Sequence, residues 1–336
     1  MSTSVQTMPS PELFFENVFA YQRSAALKTA IDVGLFTAIG DAALSADQIA
    51  TRCNATPRGI RILCHYLASM GFLTKKNETF ALTPVSTAYL TKSSPAYLGG
   101  TLEFLSSAEL TKNFEHLTET VRHGIPASAN NTVSEENPMW VTFAEAMAPM
   151  MMPNAMAIAD VLKTSGKTRV LDIAAGHGMF GIVMAQKNPA AEIVALDWPS
   201  VLAVAQKNAT QMGVGDRYAK LPGDAFKTDF GTGFDVVLIT NFLHHFDVPT
   251  CVSFMKKVAG ALKPGGRAVV LEFVPNADKV SPPFPAQFGL TMLAGTPAGD
   301  VYSIEELKQM YASAGFSGVT AHPTPTPQTV VVGTKG

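Results

Sequence analysis

Val170-Leu171-Asp172-Ile173-Ala174-Ala175-Gly176-His177-Gly178-Met179-Phe180-Gly181 is the stretch on which the reading of this chain turns. Residues 170–173 form a short apolar run of the kind a buried strand makes. The small residues Ala174, Gly176 and Gly178 let the backbone turn sharply and approach a ligand. From Met179 the pattern becomes helical, so the free amides of the helix N-terminus face the same place. The stretch is neither the G-x-G-x-x-G of a dinucleotide site nor a phosphate loop with Gly-Lys-Ser/Thr. It carries instead a carboxylate, Asp172, ahead of the glycines, which disfavours a phosphate and suits a cationic ligand.

Working outward, a second acidic residue, Asp197, lies in Ala195-Leu196-Asp197-Trp198 at the end of the next apolar run. A carboxylate there is placed to accept both hydroxyls of a ribose. A third, Asp224, lies in Gly223-Asp224-Ala225-Phe226, which offers an acceptor for an adenine amino group and an apolar wall for its ring. Three acids around a glycine turn, without a phosphate binder, point to a positively charged nucleoside, and S-adenosylmethionine fits. Each Asp taken singly also fits a plain helix cap.

The same rhythm of short apolar runs separated by helical stretches continues through residues 192–196, 234–239 and 267–274. It implies parallel strands joined by helical crossovers, a Rossmann-like doubly wound α/β sheet. A capping box at Ser303 and Glu306 starts a late helix, and 329–333 reads as a closing strand. Upstream, residues 12–39 read as one helix with a wide apolar arc. Ser45 with Gln48 forms a capping box, Thr56-Pro57 opens another helix, and 72–82 reads as a hairpin. Helix, helix, helix, hairpin is a winged-helix order. Residues 96–122 look helical, 124–138 is a polar Pro/Gly-bearing loop, and a Met-rich helix covers 139–163. The expected division is a mainly α winged-helix dimerisation domain over 1–110 and a cofactor-binding domain over 111–336.

At 47% hydrophobic and 15% charged, the 336 residues exclude a disordered chain. A net charge of −2, and a third helix whose cations are Arg58 and Arg61, make nucleic acid a poor partner. No apolar run reaches the ~18 residues of a membrane span and no leader pattern opens the chain, so a cytoplasmic protein is expected. Cys53, Cys64 and Cys251 lack CxxC spacing and read as reduced thiols. No acidic cluster beyond these aspartates suggests a metal.

Taken together, the winged-helix order at 12–90, the glycine turn, Leu196-Asp197-Trp198-Pro199, Pro222-Gly223-Asp224-Ala225-Phe226, Asn241-Phe242-Leu243-His244-His245-Phe246-Asp247 and residues 261–272 resemble one family. It is the class I S-adenosylmethionine-dependent O-methyltransferases of the caffeate, hydroxyindole and anthracycline type. The resemblance implies a homodimer through the N-terminal domain. It implies that the turn with Asp172, Ala174, Gly176 and Gly178 holds the methionine part of the cofactor. Asp197 and Trp198 then take the ribose, and Asp224, Ala225 and Phe226 the adenine. Thr240 stands where the family often has a lysine. His244 aligns with the family's general base, His245 replaces an aspartate, and Glu272 aligns with the glutamate that buttresses the base. The family's second glutamate is missing, with Asp300 displaced by one residue from its position.

Trp140, Phe143, Met147, Met151, Phe288 and Met292 are the expected walls for an aromatic or polyketide-like acceptor, since thioethers adapt to flat apolar rings. Residues 281–299 are a candidate lid. Plain core packing is the competing reading of each wall residue, a structural element that of the histidines, and a backbone spacer is the expectation for His177. Rival functions are methyl transfer to N, S or C by proximity alone, a regulatory cofactor-binding winged-helix protein, and an NAD-dependent oxidoreductase.

Overall fold

The computed structural model describes residues 9–126 and 137–336, so most of the loop expected over 124–138 lies outside the described residues. The chain divides into two compact units, Met1–Leu102 and Glu103–Gly336.

In the first unit, α1 (Glu12–Val18), α2 (Ala20–Asp32) and α3 (Leu35–Ile39) replace the single helix expected over 12–39. The chain kinks at Phe19, and Gly34 takes a left-handed conformation (φ 69°) that no continuous helix accommodates. Breaking the helix sends Leu35, Phe36 and Ile39 into the core and leaves α1 with no buried residue. Leu13, Phe14, Phe15, Val18 and Phe19 are all exposed. Strand β1 (Leu44–Ser45) leads into α4 (Ala46–Arg52), whose capping box is formed by Ser45 and Gln48. In α5 (Pro57–Ser69), Thr56 caps the Gly59 N–H and buries Ile60, Cys64 and Leu67. The hairpin β2 (Leu73–Lys76) and β3 (Thr79–Leu82) follows, with β1 paired on β3, and then α6 (Pro84–Leu90). Helical content over 96–122, which runs from the end of the first unit into the second, is broken into a turn at Gly99–Thr101, α7 (Leu102–Leu105), α8 (Ala108–Glu115) and α9 (Leu117–His123). The Ser107 side chain starts a new helix there by accepting the Leu110 N–H.

In the second unit α10 (Met139–Leu162) precedes β4 (Thr168–Ile173) and α11 (Met179–Lys187). Then come β5 (Ala191–Asp197), α12 (Pro199–Gln211), β6 (Tyr218–Pro222) and β7 (Phe234–Thr240). The chain ends with α13 (Val248–Ala261), β8 (Leu262–Glu272), α14 (Pro283–Gly295), α15 (Ile304–Ser313), β9 (Phe316–Pro323) and β10 (Thr329–Lys335). The capping box expected at Ser303 and Glu306 starts α15.

The strands form one seven-stranded sheet in the order β6-β5-β4-β7-β8-β10-β9, parallel through β8 and antiparallel at β10 and β9. Strand alternation sorts its side chains onto two faces. Val170, Val236, Leu238, Val269 and Leu271 pack with α10, α11 and α12, while Leu171, Ile173, Val237, Ile239 and Val270 pack with α13 and α15. Each such fully buried side chain contributes about 1.5 to 3 kcal/mol. This is the expected doubly wound architecture, with β9 the strand that sequence reading missed. Residues 281–299, the candidate lid, are mostly the helix α14. Among the described residues no helix is long and apolar enough to cross a membrane.

Candidate active site

The winding reverses between β4 and β7: the chain lays β5 and β6 on one side of β4, then β7 and β8 on the other. In open α/β sheets ligands bind outside the carboxyl ends of the strands at this point. Two non-glycine residues in left-handed conformation sit there, Ala174 (φ 51°) after β4 and Asn241 (φ 54°) after β7. Gly176 (φ 56°) and Gly178 (φ 77°) complete the turn, and both need the freedom that only glycine has without strain. A Cβ on Gly178 would lie 2.6 Å from the Tyr218 hydroxyl oxygen, so the turn has no room for one.

Both carboxylates of the turn are held by backbone amides. The Gly176 and Trp198 N–H groups donate to Asp197 Oδ2 and Oδ1 at 2.8 and 2.7 Å. The Gly181 N–H donates to Asp172 Oδ2 at 3.0 Å, while the buried Asp172 Oδ1 has no partner. Burial pushes the Asp172 carboxyl up to about 8, opposed by the Gly181 amide and reinforced by the Asp197 charge. Burial likewise raises Asp197, to about 6, against its two amide donors. An orphaned carboxylate oxygen at a glycine turn fits a ligand that brings positive charge or N–H donors, as S-adenosylmethionine does. The bare capping role open to each Asp leaves Asp172 Oδ1 unexplained.

Asp224 Oδ1 accepts the Phe226 N–H at 2.8 Å, and Lys227 reaches Oδ2 at 3.3 Å. Phe226 is half exposed on a cluster of Phe242, Phe246 and Phe254, and Ala225 is buried with its carbonyl accepting from Lys257. Thr240 is buried as the last residue of β7.

After Asn241 and Phe242, residues 243–245 form a 3-10 turn carrying both histidines, and both are buried. Glu272, the last residue of β8, organises that turn. Its Oε1 accepts the Phe242 and His244 N–H groups at 3.2 and 3.3 Å, and its Oε2 faces His244 Nδ1 at 2.5 Å. Phe288 of α14 meets the His244 ring edge-on at 4.8 Å, and His245 stands perpendicular to Trp140 at 5.6 Å. Burial and the adjacent His244 hold the His245 imidazole well below its usual range, hence neutral.

Phe143 packs edge-on against Trp140 at 5.6 Å and stacks on His177 at 6.1 Å. His177 is not the backbone spacer expected. It is buried, its Nδ1 accepts the Met179 N–H at 3.1 Å, and burial lowers its pKa to about 4. Its ring packs against Phe143 and Phe180, contacts that composition alone does not reveal. Met147 and Met151 are buried in the cluster that packs α10 on the sheet, and Met292 is buried on α14. Asp300 is exposed with Oδ1 turned onto the Val301 N–H; its backbone N–H donates to the His244 carbonyl at 3.0 Å. The 299–300 segment thus meets the histidine turn through its backbone. A Cβ on Gly299 would lie 2.3 Å from the His244 carbonyl oxygen.

Three amide side chains beside this site had no functional signal in the sequence: the buried Asn154 and Gln328 and the partly buried Asn241. Asn154 and Gln328 carry no motif, Asn241 opens the histidine run without a role that its sequence reveals, and the three come from separated segments. Among the described residues no group of three His, Cys, Asp or Glu side chains is spaced to hold a metal ion.

Residues 108–317 match the O-methyltransferase domain family, and residues 15–92 match the O-methyltransferase dimerisation domain. A putative O-methyltransferase from Nostoc punctiforme has a solved structure with 46% sequence identity and a TM-score of 0.95, covering 98% of this chain and 100% of that one. The 3-hydroxy-5-methyl-1-naphthoate 3-O-methyltransferase of Streptomyces sahachiroi is 26% identical over 92% of this chain and 90% of its own length. The tetracenomycin polyketide synthesis 8-O-methyl transferase TcmO of Streptomyces glaucescens is 24% identical over 94% of each. With the doubly wound sheet, the glycine turn and both domain matches in place, the chain belongs to the S-adenosylmethionine-dependent O-methyltransferase family.

Proposed function

We propose that this enzyme methylates a hydroxyl of an aromatic or polyketide-like small molecule, with His244 as general base. The observation that carries the reading is the buried 2.5 Å contact between His244 Nδ1 and Glu272 Oε2. A phenol of pKa near ~10 is mostly protonated at neutral pH, so its oxygen needs a base as it attacks. Glu272 takes the Nδ1 proton as its hydrogen bond and leaves the Nε2 lone pair to receive the phenolic proton. The imidazolium so formed is stabilised by the carboxylate beside it, and a neutral His245 adds no opposing charge.

The bound cofactor supplies an electrophilic methyl group on a sulfonium. Asp172, Ala174, Gly176 and Gly178 line the place for its amino-acid part, Asp197 and Trp198 for the ribose, and Asp224, Ala225, Phe226 and Thr240 for the base. Trp140, Phe143, Met147, Met151, Phe288 and Met292 wall the acceptor. In support of that acceptor class, one relative named above is by its name a naphthoate O-methyltransferase and another an O-methyl transferase of tetracenomycin polyketide synthesis. The exposed apolar residues of α1 are the surface we assign to a homodimer through the N-terminal domain, in the cytoplasm.

The test of this reading is methyl transfer from radiolabelled S-adenosylmethionine to a panel of phenols, hydroxyquinones and amines. Labelled ethers from the phenols are expected. Label in the amines alone would remove both the acceptor class and the need for a base.

Cofactor affinity is expected to rise with pH. Asp172 is protonated below about 8 in the free protein, so a cation bound beside its ionised form must first expel that proton. One linked proton weakens binding up to about tenfold per pH unit below that value. Calorimetry from pH 6 to 9 on the wild-type and Asp172→Asn proteins checks it, the variant giving the profile without this carboxyl. Parallel profiles would mean that Asp172 is not ionised by the cofactor.

A further inference from the structure

A directed chain of amide side chains runs under the catalytic turn. The Thr326 hydroxyl, in the loop joining β9 to β10, donates to Asn154 Oδ1 of α10 at 2.8 Å. Asn154 Nδ2 donates to Gln328 Oε1 at 2.6 Å, and Gln328 Nε2 donates to Asn241 Oδ1. Asn241 Nδ2 then faces the Met151 sulfur at 3.9 Å. Asn154 and Gln328 are 1% and 3% exposed. Three apolar residues of similar shape would pack there without any amide to satisfy. The polar chain therefore supplies direction, because each amide has a donor end and an acceptor end that its neighbour fixes.

What it directs is Asn241. This residue is left-handed, its own N–H donates to the Leu271 carbonyl at 2.9 Å, and it lies between Thr240 and the turn that carries His244. Asparagine tolerates that conformation, but nothing in its backbone selects a side-chain direction. Gln328 does so, from a hairpin loop beyond residue 317, where the match to the methyltransferase domain ends. We propose that Gln328 is a positioning residue for methyl transfer: it clamps the Asn241 amide and so fixes the end of β7 between the cofactor place and the His244 turn. The proposal rests on the functional reading above.

Gln328→Met keeps the length and removes both hydrogen bonds, and Asn241→Leu removes the clamped group. With the phenol most rapidly methylated in the panel, each is expected to lower kcat about tenfold to a hundredfold, as a misplacement of order 1 Å does. Cofactor affinity by calorimetry and the pH at half-maximal rate are expected to stay those of the wild type. The double variant should be no slower than the slower single one, since both break one link. Losses that multiply, a kcat close to wild type, or a cofactor affinity that falls in step with kcat would each overturn the proposal. If Gln328→Met does not fold, Asn154→Leu, one link further from the turn, carries the same test. Should the wild type bind no S-adenosylmethionine and methylate nothing, the functional reading fails. The clamp is then judged alone, by proton exchange at the Asn241 side-chain amide in 15N-labelled protein. Slow exchange that becomes fast in Gln328→Met supports it, and equal exchange refutes it.

Discussion

His244→Ala is expected to lower turnover on a phenol by about 10²- to 10⁴-fold, the usual contribution of a positioned general base. Affinity for S-adenosylmethionine should not change, because His244 is not among the residues assigned to the cofactor, which lie on the glycine turn, at or just past the ends of β5 and β6, and at Thr240 of β7. The truncation removes one of three partners of Glu272. The Phe242 and His244 amides remain on Oε1, so the turn keeps two of its ties. Single-turnover rates with cofactor in excess separate chemistry from binding, and a thermal melt shows whether the fold holds. A second signature follows from the role. In the variant the rate should climb with pH toward the acceptor's own ionisation, near ~10 for a phenol, because hydroxide then does what the imidazole did. Turnover within a few-fold of wild type would leave alignment as the whole of catalysis and reopen N, S or C acceptors.

Glu272→Gln is the sharper test of how the base is prepared. The amide can keep its carbonyl oxygen on the Phe242 and His244 N–H groups, so the fold should survive. Its NH₂ then faces His244 Nδ1, where the carboxylate oxygen lay at 2.5 Å. An N–H opposite an N–H is repulsive, so the imidazole shifts its proton to Nε2 and accepts at Nδ1. That tautomer has no lone pair to offer a hydroxyl. Loss of the correct tautomer and of the charge that stabilises imidazolium is expected to cost about 10² to 10³ in kcat/KM. Nitrogen chemical shifts of His244 should report the exchanged tautomer directly. An unshifted tautomer with full activity would reduce Glu272 to a tie for the backbone of the turn.

Much of the fold was readable along the chain because its signals are local. The strand β4, the capping boxes at Ser45 and Ser303, the Thr56 cap and the hairpin at 72–82 each depend on residues within a few positions of one another. The breaks at Phe19 and Gly34 escaped because an apolar arc continues across them, and hydrophobic pattern does not register a change of direction. The strand β9 escaped because it is an edge strand exposed along most of its length, paired among the described residues only with β10, so it lacks the apolar run that marked the others. His177 was misjudged for a related reason. A histidine between two glycines looks solvent-facing until Phe143, far away in sequence, is found stacked upon it.

Residue order alone gave the doubly wound class, the acidic residues around the glycine turn and the histidine run, since strand period, turn chemistry and motif spacing are all short-range. Which carboxylate oxygen is left without a partner, that Glu272 reaches both the backbone and the ring of the His244 turn, and that Gln328 meets Asn241 were settled by folding. Those contacts join segments tens of residues apart, and only the packing of the sheet against its helices brings their polar atoms within hydrogen-bond range and removes the water that would otherwise compete for them.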